Sequence, residues 1–272
     1  MKIRTLVLLS LFFVFAGCAN TAVINCDLDS QRLGNEAFWV ETGHYGKPTV
    51  KSLLIIPPTG GANVVDRSYA KMFCKAGYEV FILMGWKDQD EQSIDMTLHQ
   101  RFYERSEKAI SLVLAEIKSG QIGLLGTSVG ALHAAVAASL QDRINAVFII
   151  TGGAPLADII VNSDQGAMED LANKRRRAFG FKNKKEYLAA LVPEIKLEPM
   201  KLGDGFQKKK LGAVIALNDT KVPTEMQKNL VAFWNPQLVI EKDSGHFWTI
   251  VSTWLFNSDE ILEFFENSFN SK

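Results

Sequence analysis

The chain has 272 residues, 30 basic and 30 acidic side chains and 47% hydrophobic content, which suits one compact domain with a sizeable core. That balance excludes a disordered, collagen-like or disulfide-dense chain. A formal net charge of zero, with both signs spread along the sequence, also removes the electrostatic case for nucleic acid as a partner.

Residues 1–17 read as an address label. Lys2 and Arg4 precede an apolar run over residues 6–16 that only Ser10 interrupts, and small residues then lead to Cys18. This is the layout of a secretory signal peptide. The run is too short to span a bilayer, which takes about 20 apolar residues, and it lacks the polar face of an amphipathic core helix. The segment Phe15-Ala16-Gly17-Cys18 resembles the lipobox of bacterial lipoproteins. That resemblance implies lipidation of Cys18 and a membrane anchor. Because Ala19 follows the Cys, it also implies the outer membrane of a bacterial envelope, facing the periplasm. Ordinary cleavage that leaves Cys18 a plain thiol is the alternative. Residues 18–50 are expected to form an anchor and lead-in. In an oxidising compartment Cys26 and Cys74 are permitted a disulfide, and Cys74 buried as a small hydrophobe is the other reading.

No repeat and no low-complexity linker divides the rest, so residues 51–272 are expected to form a single domain. Residues 52–56 are a β-rich run stopped by Pro57, Pro58, Gly60 and Gly61. Tyr69, Met72, Phe73 and Ala76 then fall at helical spacing, and Gly77 ends that helix. A second strand is expected over residues 79–84, and Ile110, Val113, Leu114 and Ile117 mark the next helix. Residues 121–125 form a third strand leading through glycines into an alanine-rich helix over 131–140, followed by a strand over 144–150. After an irregular stretch the pattern resumes with strand 211–217, a helix near 224–233, strand 237–241 and a terminal helix from Asp259. Continuous apolar strands separated by helices imply an α/β fold with a mostly parallel sheet covered on both faces. Sites in such sheets lie beyond the carboxyl ends of the strands.

Gly126-Thr127-Ser128-Val129-Gly130 matches G-x-S-x-G between a strand and a helix. Gly126 and Gly130 allow the close approach that a sharp elbow needs, with Ser128 projecting as a nucleophile. A serine hydroxyl requires a base and a group to orient that base. His246, in Asp243-Ser244-Gly245-His246-Phe247, follows the last strand and is the candidate base. His133 is expected to point away from the elbow, and His44 and His99 carry no partner signal. Asp219, after strand 211–217, is the candidate acid, with Asp243 as its competitor.

The order Ser128, Asp219, His246 resembles the α/β-hydrolase family from about residue 51 to the C-terminus. The resemblance implies an oxyanion hole built from the Val129 N–H and from Thr59 or Gly60 in the Pro57-Pro58-Thr59-Gly60-Gly61 loop. It also places a cap insertion at about residues 154–206, whose basic residues 174–177, 182, 184 and 185 read as a solvated face or as a site for anionic headgroups. Asp88, Asp90, Glu91 and Asp95 match no complete calcium loop, and no zinc or phosphate-loop pattern occurs, so no metal and no cofactor is implied. The expected activity is hydrolysis of a small-molecule acyl substrate, most simply a carboxylic ester. A peptidase or amidase of the same fold and a non-catalytic binding lipoprotein are the alternatives.

Overall fold

The computed structural model describes residues 25–86 and 94–270. The expected leader, the lipidation site Cys18, and Asp88, Asp90 and Glu91 lie outside the described residues. Eight strands form one sheet: β1 (Asp29–Gly34), β2 (Trp39–Tyr45), β3 (Lys51–Ile56), β4 (Glu79–Trp86), β5 (Gln121–Thr127), β6 (Ala146–Ile150), β7 (Lys210–Ala216) and β8 (Leu238–Lys242). Their spatial order is β1-β2-β4-β3-β5-β6-β7-β8. Strands β3 to β8 run parallel, while β2 is antiparallel to both β1 and β4.

The apolar run of β3 shows why the sheet is covered twice. Successive side chains point to opposite faces: Leu54 and Ile56 enter one core cluster, Leu53 and Ile55 the other. Helices α2 (Leu98–Glu116), α3 (Val129–Leu140) and α7 (Thr224–Trp234) complete the first cluster through residues such as Ile110, Ala134 and Leu230. Helices α1 (Val64–Lys75) and α8 (His246–Asn270) complete the second through Tyr69, Phe73, Ile261 and Phe265. Helix α1 starts where it does because Asn63 accepts from the Val65 N–H at 2.7 Å while Asp66 accepts from the Asn63 N–H at 2.9 Å, a reciprocal cap.

Between β6 and β7 the chain forms α4 (Leu156–Asn162), α5 (Gly166–Ala178), α6 (Lys184–Leu191) and three short 3-10 turns. They pack their own cluster, including Ile160, Tyr187 and Leu191, onto Leu132 and Val136 of α3. The stretch expected to be irregular is therefore largely helical. Its basic segment is not uniformly solvated either. Arg175 is fully buried and donates to Ile94 O at 3.1 Å, Tyr187 Oη at 3.0 Å and Asp95 O at 2.6 Å. Asp95 in turn holds Thr97 and Arg101 with its carboxylate.

Two expectations need correction, and one open alternative is decided. Residues 29–45 are two strands of the central sheet, so the lead-in assigned to 18–50 is mostly part of the domain that was expected to begin near residue 51. The terminal helix begins at His246 rather than Asp259. Cys26 and Cys74, left open above, are joined by a disulfide. Among the described residues no helix is long and apolar enough to cross a membrane.

Candidate active site

Ser128 sits in the turn between β5 and α3 with φ 56° and ψ −121°, a backbone conformation costly for a residue with a side chain. Neighbouring groups over-determine it. The Ser128 N–H donates to Ile150 O at 2.9 Å, and its carbonyl accepts from the Ala131 N–H at 2.8 Å. The flanking glycines are demanded by space. A Cβ on Gly130 would lie 2.1 Å from Ile56 O and 2.4 Å from Pro57 O, and one on Gly126 would lie 2.5 Å from Gly130 O. This proximity brings the end of β3, and the Pro57–Gly61 turn after it, against the start of α3.

Two further strand ends deliver the other polar groups. Asp219 follows β7, and its side chain is wholly buried. Oδ1 accepts from the Lys221 N–H at 2.8 Å and the Val222 N–H at 3.1 Å, while Oδ2 accepts from Gln227 Nε2 at 2.8 Å. His246, the first residue of α8, donates its Nδ1–H to Asp219 Oδ2 at 2.6 Å. A carboxylate can only accept, so that contact fixes the proton on Nδ1 and leaves Nε2 as an acceptor. Ser128 Oγ donates to that Nε2 at 2.8 Å. The structure thus brings the three expected residues into one continuous relay.

The competing acid is engaged elsewhere, since Asp243 Oδ1 accepts from Asn218 Nδ2 at 2.8 Å. With Asn218 N–H donating to Ser244 O at 3.1 Å and Leu217 N–H to Lys242 O at 2.8 Å, these bonds tie the Asp219 loop to the His246 loop.

Val129 opens α3, so its amide has no acceptor inside the helix. Thr59, Gly60 and Val129 all line one cavity of about 940 Å³. Its remaining walls include Met84, Trp86, Leu98, Phe102 and, from the cap helix α5, Met168 and Leu171. Gly60 and Gly61 both have positive φ, and the Gly61 N–H closes a turn onto Pro58 O at 3.2 Å.

Gln227 was not anticipated. It is fully buried, its Nε2 serves both Asp219 and Val222 O at 2.7 Å, and its Oε1 accepts from the Ala216 N–H at 3.0 Å. The available signal was a lone amide on the otherwise apolar face that Met226, Leu230 and Trp234 present. His133 does not reach the relay. It is buried against Phe102 and Tyr103, with ring centroids 4.9 and 5.1 Å away, and burial depresses its pKa to about 3. His99 is held to about 3 by burial and by the Arg175 charge. His44 lies 3.2 Å from Glu79, remote in the sequence from the relay. Among the described residues no group of three His, Cys, Asp or Glu side chains is arranged to hold a metal ion.

No family model and no curated protein matches the sequence. Solved structures do. An esterase of Pyrococcus furiosus is 14% identical, with a TM-score of 0.61 over 89% of this chain and 93% of that one. An acylaminoacyl peptidase of Pyrococcus horikoshii is 14% identical with a TM-score of 0.66, matching 90% of this chain but only 42% of its own length. The thioesterase domain from the curacin biosynthetic pathway is 13% identical, with a TM-score of 0.59 over 87% of this chain and 99% of that one. The strand order, the helices on both faces and these likenesses together give the chain the α/β-hydrolase fold.

Proposed function

We propose that this chain is a serine hydrolase that cleaves carboxylic esters through an acyl-enzyme, and that it is tethered to a bacterial envelope membrane through Cys18. The observation that carries the reading is the Ser128–His246–Asp219 relay, at 2.8 and 2.6 Å, on a backbone elbow with positive φ. The esterase, peptidase and thioesterase among the structural neighbours are consistent with it.

Ser128 Oγ attacks the ester carbonyl as His246 Nε2 takes its proton, and Asp219 stabilises the imidazolium that forms. The Val129 N–H, with Thr59 or Gly60 across the cavity, receives the developing oxyanion. His246 then protonates the departing alcohol, and water, deprotonated by the same imidazole, releases the acid. The apolar walls Met84, Trp86, Leu98 and Phe102 suit a small or medium acyl group beside Val129. The disulfide agrees with an oxidising compartment.

Labelling with a fluorophosphonate, which reacts with activated serines, tests the assignment. The parent is expected to be labelled and Ser128→Ala to lose both label and turnover, by roughly 10³-fold or more. An unlabelled parent sinks the hydrolase reading. Faster turnover of aminoacyl amides than of aryl esters would make the chain a peptidase instead.

A further inference from the structure

The outward face of α8 changes character along its length. Phe247, Trp248, Leu255 and Phe256 stand 74%, 56%, 55% and 71% exposed, whereas Asp259, Glu260 and Glu263 occupy exposed positions further along. The inward face is buried throughout, through Ile250 and Thr253 and then Ile261, Phe264 and Phe265. An isolated exposed Leu or Phe is ordinary, but a cluster of four large apolar side chains on one surface helix marks a contact face. Trp and Phe are the residues that favour the boundary between headgroups and acyl chains. The acidic residues beyond Phe256 would stay in water and limit how deeply the helix sinks.

The position of Cys26 points to the occupant. Cys26 is joined by a disulfide to Cys74 in the last turn of α1. Helix α1 packs on α8, where the Tyr69 and Trp254 rings meet at 4.8 Å, and Cys26 and Trp254 both lie against the same core cluster. Cys26 lies eight positions after Cys18, a tether whose fully extended length is at most about 27 Å. The stretch of α8 from Phe247 to Phe256 is about 14 Å long. A lipid on Cys18 would therefore hold this face within reach of the same bilayer at high local concentration.

We propose that the exposed apolar face of α8 seats in the headgroup region of a lipid bilayer. The identity of the occupant rests on the lipid-anchor reading, whereas the exposed face is independent of it. Because His246 is the first residue of α8, seating the helix puts the relay at the water–bilayer boundary, where esters dissolved in the membrane are presented to Ser128.

The test uses the chain from Ala19 onward, which keeps every strand and every core cluster but has no Cys18 to anchor it. With phosphatidylcholine vesicles this chain is expected to co-sediment, and its tryptophan emission to be quenched by brominated acyl chains. Trp248→Phe should lose most of that quenching. The double variant Leu255→Ser, Phe256→Ser should bind about tenfold more weakly or worse, with an unchanged near-ultraviolet circular dichroism spectrum and hydrolysis of a soluble ester within about twofold of the parent. No vesicle binding by the parent overturns the proposal. So does quenching that Trp248→Phe leaves intact, or a vesicle-free dimer that the double variant abolishes, which would assign the face to a second copy of the chain. Failure of the anchor reading is seen separately, as a Cys18 that carries no lipid by mass spectrometry of the bacterially expressed full chain.

Discussion

Asp219 accepts from Lys221 N–H, Val222 N–H, Gln227 Nε2 and His246 Nδ1, so both its oxygens are engaged and its orientation is fixed before any substrate arrives. Gln227 is the one side-chain partner in this set outside the relay, and it acts on Ser128 only through Asp219 and His246. Replacing it with Leu removes one donor to the carboxylate and leaves the Ala216 N–H unpaired, a loss of about 1–3 kcal/mol for each buried group. Gln227→Leu is expected to lower kcat by roughly tenfold with KM little changed, as steady-state kinetics with a soluble ester would show. Away from the site, burial raises the Glu107 carboxyl from its ordinary value to about 7, against a smaller lowering by Gln141. A folded pKa above the unfolded one makes the folded state hold the proton more tightly. Its contribution is complete below about pH 4.5 and disappears as pH rises through 7. Glu107→Gln is therefore expected to flatten a decline of up to about 3 kcal/mol between pH 4.5 and 7 in denaturant melts. His99 and His133, both depressed to about 3 by burial, act with the opposite sign, because their contribution is lost as pH falls from 6.5. Comparing variant with parent at each pH cancels that background.

At the scale of elements, the cap is pinned by a charge rather than floated on one. Arg175 ties α5 to the carbonyls of Ile94 and Asp95 and to Tyr187 of α6. Arg175→Met removes all three bonds and leaves those acceptors without it. We expect a stability loss of about 3 kcal/mol and faster proteolysis within residues 154–206, seen by limited digestion and mass mapping. The same helices show what local patterns carry. Strands β3, β5, β6 and β7 were legible because each is an unbroken apolar run, the mark of burial on both faces. Strands β1 and β2 were not: β1 exposes half or more of its residues, and Glu41 and His44 in β2 break any apolar run. The sequence pattern places the start of α8 only near Asp259 because its first half inverts the usual order, burying Thr249, Ser252 and Thr253 while exposing Phe247, Trp248, Leu255 and Phe256, whereas its second half sets apolar residues against acidic ones. In the site, Ser128, Asp219 and His246 could be found because each sits in a recognisable turn at a strand end. Gln227 lies inside a helix, and only its contacts in three dimensions reveal its task.

Across the whole molecule, two regions anchor the fold at different points in the chain. The Cys26–Cys74 bond closes a loop with a sequence separation of 48 and fastens the N-terminal edge strands to α1. Its loss, in Cys74→Ser or under a reductant, is expected to cost about 4 kcal/mol by loop entropy, measured as the difference in unfolding free energy between oxidised and reduced protein. The relay is drawn instead from β5, in the middle of the sheet, and from β7 and β8 at the edge opposite β1. That placement orders events in time. His246 lies within the last tenth of the sequence, and the Asp219 loop is braced by the loop that carries it. Under the proposed function, no nascent chain or fragment ending before His246 has a base for Ser128. Hydrolysis would thus switch on only once the chain has been made past His246 and the edge strand β8 has docked, so under the same proposal a chain still being threaded across a membrane would be inert towards the esters it passes.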